Sequence, residues 1–327
     1  MYLGIDIGGT TTKLGVADAG GTLIQEASFR TSAYANAHQF LEALDGEIIR
    51  MVSLLDHHIQ GIGLGAPSAN FRTGAIENAA NLGWKGKLDI KKHLEKSTGC
   101  RVMVTNDANL PAIGEMTYGG ARGMQNFITV SLGTGLGSGL VCNGKLVGGH
   151  HGMAGELGHT CAVAGGRNCG CGRKGCLETY VSATGLKRTV LEALAHDLEY
   201  YSLLREFSFE EMTAEHIHEA ALDGDRIAKE AFDRTGSMLG RQLADLVCIT
   251  DPEAIFLVGG LAKAGDLLFT PTKQALQQYM LSNFESDLEI KSSSLPLDKL
   301  SLLGAIGLVS SNRSSKVASS NYNLIPY

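Results

Sequence analysis

Residues 155–179, GELGHTCAVAGGRNCGCGRKGCLET, hold four of the chain's seven cysteines, one histidine and two glutamates. His159, Cys169, Cys171 and Cys176 follow the pattern H-x9-C-x-C-x4-C. Three thiolates and an imidazole make a closed tetrahedral set suited to a structural Zn²⁺, and the intervening glycines let a short chain wrap one ion. A closed set has no open position for water, so the work of such an ion is geometric. It stiffens the loop that carries Glu156 and Glu178. Cys161 falls outside the pattern and reads as a buried or half-exposed thiol. Cys100, Cys142 and Cys248 are scattered among apolar neighbours and read as small buried hydrophobes. An odd number of cysteines, clustered in this way, argues against a secreted disulfide scaffold.

A second kind of chemistry lies in three glycine turns: DIGGTTTK at 6–13, SLGTGLGSG at 131–139 and LVGGLA at 257–262. A glycine turn after a strand lets backbone N–H groups approach phosphate oxygens with no side chain in the way. Gly9, Gly133, Gly135, Gly259 and Gly260 supply that backbone. Thr10, Thr11 and Thr134 add hydroxyls, Lys13 adds a positive charge, and Asp6 is a strand-end carboxylate able to hold hydrated Mg²⁺. Taken singly, each turn reads equally as an ordinary hairpin. None fits GxxxxGK[ST], and LGTGLGSG is followed by a strand where a dinucleotide fingerprint needs a helix. Asp107, in TNDAN at the carboxyl end of a buried strand, stands where ligands gather in α/β folds. It is suited to accept a proton from a hydroxyl, or more plainly to cap a helix.

The elements that must position these groups follow from periodicity. YLGIDIGG, TTKLGVAD and GGTLIQEASF form an antiparallel meander, and residues 127–148 repeat it, an internal duplication. Helices are expected at 37–55, across LDIKKHLEKSTG and LPAIGEMTYGGARG, and at 183–196, 213–222, 225–248 and 301–311. IQGIGLGAP, RVMVTNDAN and EAIFLVGGLA read as further strands. The Ser/Asn-rich end, with Leu324 and Ile325, reads as a surface tail. The 327 residues suit two domains, and glycine, at 42 residues, is well above the usual ~7%. A net charge of −6 without a basic patch excludes nucleic acid as an expected partner. No signal peptide and no membrane span stand out, so cytoplasm is the default.

DIGGTTTKLGVAD, NDAN, LGTGLGSGL, GELGH and CGCGRKGCLE, in that order, resemble the ROK family of sugar kinases. The resemblance covers nearly the whole chain. It implies a two-domain actin-like ATPase (ribonuclease H-like) α/β fold with duplicated mixed five-stranded sheets and a cleft between them. The small domain would be 1–116 plus 298–327, and the large domain 117–297 would carry the zinc loop. Further implications are ATP as donor with Mg²⁺, a hexose as acceptor at its 6-hydroxyl, and a homodimer. Asp107 then becomes the general base and Asn106 orients the sugar. Glu156, His159 and Glu178 meet sugar hydroxyls, His159 also serving the metal, and Asn81 lines the site more loosely beside Trp84. The chain begins at its first strand, without the DNA-binding segment of ROK repressors. CGCGRKGCLETYVSATGL is closest to the glucokinase branch, which makes glucose the first choice and glycolysis the setting. N-acetylglucosamine, N-acetylmannosamine, fructose and mannose remain open. Ser68 stands where many relatives have glycine.

Overall fold

The computed structural model describes residues 1–55, 57–79, 81–284 and 288–311. The Ser/Asn-rich tail with Leu324 and Ile325 lies outside the described residues. Contacts divide the chain into two units. One comprises Met1–Gln125, Gly139–Gly155 and the stretch from Ser293, the other Asn126–Ser138 and Glu156–Ser292.

The first sheet opens with β1 (Tyr2–Ile7), β2 (Thr11–Ala17) and β3 (Leu23–Arg30), paired antiparallel. β4 (Ile62–Ala66) joins β1 in parallel, three short strands follow as β5 (Ala69–Asn70), β6 (Ala75–Glu77) and β7 (Lys87–Leu88), and β8 (Val102–Asn106) joins β4 in parallel. The order is β3-β2-β1-β4-β8. One face is covered by α1 (Ala37–Val52), which Asn36 caps through Gln39 N–H. Its Phe40, Leu44, Ile48 and Met51, one helical stripe, sit among Leu3, Ile5, Leu14 and Leu64. α2 (Ile90–Thr98) ends at Gly99, whose φ of 68° terminates the helix. α3 is Leu110–Tyr118.

The second sheet repeats the plan with β9 (Phe127–Leu132), β10 (Leu136–Cys142), β11 (Lys145–Leu146), β12 (Ala254–Val258) and β13 (Glu289–Ser292), in the order β11-β10-β9-β12-β13. Position for position this is the order of the first sheet, so the duplication extends from the hairpin to the whole sheet. Between these strands lie α4 (Ala183–His196), α5 (Ala214–Leu222), α6 (Arg226–Thr250) and α7 (Asp266–Tyr279). Gly236 and Gly240 let α6 and α7 pack closely: a Cβ on Gly240 would stand 2.2 Å from the Thr272 carbonyl.

α8 (Leu300–Ser310) covers the other face of the first sheet. Glycines on β1 and β4 make this possible. A Cβ on Gly4 would come within 2.8 Å of Ile306, and one on Gly63 within 1.7 Å of the Ala305 carbonyl. Among the described residues, no helix is long and apolar enough to cross a membrane.

Candidate functional site

In the first unit the chemistry collects at the carboxyl ends of β1, β4 and β8. Asp6 pairs with Gly65, and Ala66 pairs with Asn106. Asp107 is the next residue and opens a single 3-10 turn, Asp107–Asn109. Asn106 and Asp107 each accept from the Ala108 N–H at 2.9 Å. α3 begins only after Asn109, so the cap position of that helix is not Asp107. The Asn109 side chain instead donates to the Thr105 hydroxyl at 3.1 Å and holds the turn to its strand.

The first glycine turn closes through Gly8 N–H to the Thr11 carbonyl at 3.0 Å. A Cβ on Gly9 would stand 2.6 Å from the Asn81 carbonyl, so the turn and the Asn81 loop touch only because residue 9 is glycine. Trp84 is buried and stacks on Phe40 with centroids 4.8 Å apart, a core role. Thr10 and Lys13 are exposed and Thr11 is half-buried. Thr12 turns inward to the Thr31 hydroxyl at 2.7 Å. Lys13 faces Asp6 across the hairpin register and donates to the Asp298 carbonyl at 3.4 Å. Burial pushes the Asp6 carboxyl up to about 6, against the opposing pull of Lys13 and Ser301. A carboxylate so disfavoured by desolvation is one that a cation would ionise. Ser68, two residues beyond β4, has a φ of 53°, in the left-handed region that glycine adopts freely.

In the second unit the turn Gly133–Thr134–Gly135 closes through Gly133 N–H to the Gly135 carbonyl at 3.0 Å. The Gly133 carbonyl accepts from Ala183 N–H, the first residue of α4, at 2.8 Å. Gly259, with φ 92°, lies against the end of β9: its Cβ would stand 2.6 Å from the Leu132 carbonyl. Gly260 faces open space. The structure thus gathers the second and third glycine turns at the carboxyl ends of two neighbouring central strands, β9 and β12. Ser131, at the end of β9, has a buried hydroxyl with no partner among the described residues. Nothing in its spacing marked it as a candidate.

His159, Cys169, Cys171 and Cys176 bring one ligand atom each to within 4.8 Å of one another. Cys171 and Cys176 sulfurs are 3.6 Å apart, and Cys169 Sγ is 3.7 Å from His159 Nδ1. Metal–sulfur bonds of about 2.3 Å in a tetrahedron place sulfurs about 3.8 Å apart, so the set fits such an ion. The Arg173 backbone N–H pulls Cys171 down to about 6, whereas burial and its two thiol neighbours push Cys176 up to about 12. A cation at their centre would let all three ionise together. Cys161, expected to be buried or half-exposed, is exposed and pairs with Cys176 across a short antiparallel bridge; Cys248 is exposed and Cys100 and Cys142 are half-buried, so none of the three is the buried hydrophobe expected.

Glu156 precedes a 3-10 turn, Leu157–His159, closed by His159 N–H to its carbonyl at 3.0 Å. Glu178 opens out of a similar turn, Leu177–Thr179. It is half-buried rather than solvated. One carboxylate oxygen accepts from Leu136 N–H at 3.0 Å, beneath Gly135, and the other lies 3.9 Å from Cys169 Sγ. One side chain therefore links the metal loop to the second glycine turn. Sequence spacing gave no sign of this link, because it joins residues 42 apart.

The ROK family model matches residues 2–312. A protein named glucokinase from Halalkalibacterium halodurans is 36% identical over 304 residues, 91% of each chain. A putative xylose repressor from Caldicellulosiruptor is 28% identical over 95% of this chain and 78% of its own. Among solved structures, a ROK family glucokinase from Streptomyces griseus, in complex with glucose and AMPPNP, superposes with a TM-score of 0.79 at 30% identity, covering 94% of this chain and 98% of that one.

Proposed function

The chain belongs to the ROK family, and from that membership we propose that it is an ATP-dependent hexose kinase acting on the 6-hydroxyl, with glucose the preferred acceptor. The observation that carries the reading is the likeness, over 94% of the chain, to a glucokinase solved with glucose and a nucleotide. Supporting it is a carboxylate, Asp107, at the carboxyl end of β8 where such a base belongs.

Phosphoryl transfer asks little covalent chemistry of a protein: it needs positioning, charge compensation and a proton acceptor. Asp107 accepts the 6-hydroxyl proton as the γ-phosphoryl moves. Asn106 and Asn81 orient the sugar, and Glu156, Glu178 and the imidazole of His159 meet its other hydroxyls. His159 Nδ1 faces the cysteines, which leaves Nε2 to donate to the sugar. Backbone N–H groups of Gly9, Gly133, Gly135, Gly259 and Gly260, with Thr10, Thr11, Thr134 and Lys13, hold the nucleotide. Asp6 is the carboxylate that would hold hydrated Mg²⁺, which supplies charge neutralisation on the triphosphate. His159, Cys169, Cys171 and Cys176 would hold Zn²⁺, which supplies rigidity to the loop.

The test is turnover of a hexose panel with ATP, read by coupled ADP release, beside Asp107→Asn. The variant should lose about 10²–10⁴-fold in kcat, the usual worth of a positioned base, while still binding sugar. Near-normal turnover in that variant refutes the assignment. Likeness to a putative repressor keeps a sugar-sensing regulator as the second reading. It predicts hexose binding with no ADP release from the wild type.

A further inference from the structure

Arg167 belongs to none of the sets above, yet it lies in the metal loop two residues before Cys169 and its side chain is only 10% exposed. All five of its N–H donors are engaged. Nε and Nη2 grip the two oxygens of Glu192 on α4 at 2.8 and 2.6 Å. Nη1 donates to the Thr179 carbonyl at 2.7 Å and the Gly185 carbonyl at 3.1 Å, and Nη2 also reaches the Thr189 hydroxyl at 3.0 Å. The guanidinium lies 4.4 Å from the centre of the Tyr180 ring. Tyr180 returns the contact: its hydroxyl accepts from Arg167 N–H at 2.9 Å. Gly166 is glycine because a Cβ there would sit 2.1 Å from that hydroxyl.

These bonds hold the segment that follows Glu178. Thr179, whose carbonyl Arg167 holds, is its neighbour in the chain, and the Glu178 carbonyl accepts from Ser182 Oγ at 2.8 Å. The Glu178 carbonyl is thus held by the cap residue of α4, and the next residue, Thr179, is tied to α4 by a planar fork that no metal ligand contributes to. We propose that Arg167 is a positioning residue for Glu178: its guanidinium fixes the carboxylate toward the hexose independently of the metal. This rests on the kinase reading, and it divides between two devices the stiffness that the cysteine pattern assigns to the ion alone.

Lysine keeps the charge at this position but has three donors on one nitrogen, and cannot span Glu192, Thr179, Gly185 and Thr189 together. Arg167→Lys, in the full chain, should keep its metal, with zinc content equal to the wild type by elemental analysis. Its KM for hexose should rise about tenfold, the loss expected when hydrogen bonds to a charged group are broken, with kcat and the KM for ATP within about threefold. Glu192→Gln, which keeps the shape and one acceptor, should fall between lysine and wild type. A lowered melting temperature with unchanged hexose KM would show that the fork is structural only and overturn the proposal. Loss of zinc in step with the KM change would overturn its independence from the metal. A wild type that neither binds nor phosphorylates any hexose overturns the kinase reading and this inference together. A wild type that does, beside a variant with unchanged KM, overturns this inference alone.

Discussion

Gly135→Ala isolates the link between the second glycine turn and Glu178. The added Cβ would stand 2.3 Å from Glu178 Oε2 and 3.2 Å from its carboxyl carbon. Real Cβ contacts do not come as close as 2.3 Å, so something must move. The obstruction is the far end of a flexible side chain, and the carboxylate yields before the backbone does. In yielding it gives up the 3.0 Å bond from Leu136 N–H. A hydrogen bond to a charged group contributes about 1.5–3 kcal/mol. At 1.4 kcal/mol per factor of ten, kcat/KM for hexose should fall about ten- to 150-fold. Gly170→Ala is the control: it lies in the metal loop and a Cβ there meets nothing within 4 Å. Initial rates by coupled ADP release, with hexose and ATP varied in turn, would be run beside melting temperature and zinc content. The expected result is a raised hexose KM in Gly135→Ala with zinc retained, and wild-type constants in the control. A loss confined to the KM for ATP, or a folded variant with an unchanged hexose KM, would refute the role given to Glu178.

Three further outcomes can be checked. Cys171→Ser removes an exposed ligand and should abolish stoichiometric zinc on elemental analysis, with hexose KM raised; full-speed turnover by the zinc-free protein would contradict the geometric role of the ion. Asp6 holds its proton more tightly folded than unfolded, because its folded value is raised to about 6. The contribution of Asp6 is therefore most favourable below about pH 4 and is lost as pH rises through about 6, by no more than about 3 kcal/mol. Asp6→Asn should flatten that slope, and urea melts at pH 4.5 and 7 with equal pH dependence in both proteins would rule it out. Ser68→Gly, at a φ of 53°, relieves a left-handed strain of roughly 1–2 kcal/mol less glycine's own entropic cost, so the melting temperature should rise by about 1–2 °C; a fall would show that the serine side chain stabilises its loop.

What could be read in advance was whatever repeats or keeps fixed spacing. Both hairpins, the spacing of His159, Cys169, Cys171 and Cys176 and the strand-end position of Asp107 are local patterns, whereas the matching order of the two whole sheets goes beyond the repeated hairpin that the sequence shows. α7 escaped periodicity because Pro271 sits inside it, where a proline ordinarily argues for a break. Its missing N–H falls in the second turn, and Gly236 on α6 leaves room for the ring, since a Cβ there would lie 2.6 Å from Pro271 Cγ. The sheet of β5, β6 and β7 has strands of two or three residues, too short for alternation to show. β11 has only two residues, shorter than the full third strand that the repeat suggested. The links of Arg167 to Thr179 and of Glu178 to Leu136 depend on tertiary approach, and neither leaves a mark in residue spacing.

The glycines facing α8 tie the beginning of the chain to its far end. β1 and β4 are synthesised early, but the helix shaped to lie on them spans Leu300–Ser310 and leaves the ribosome roughly 240 residues after β4. Until then the flat side of that sheet stays wet, and the nascent polypeptide carries an uncovered, strand-rich surface of the kind that self-associates. Closure of that face must therefore wait for α8, and fragments truncated before Leu300 should depend on chaperones to remain dispersed.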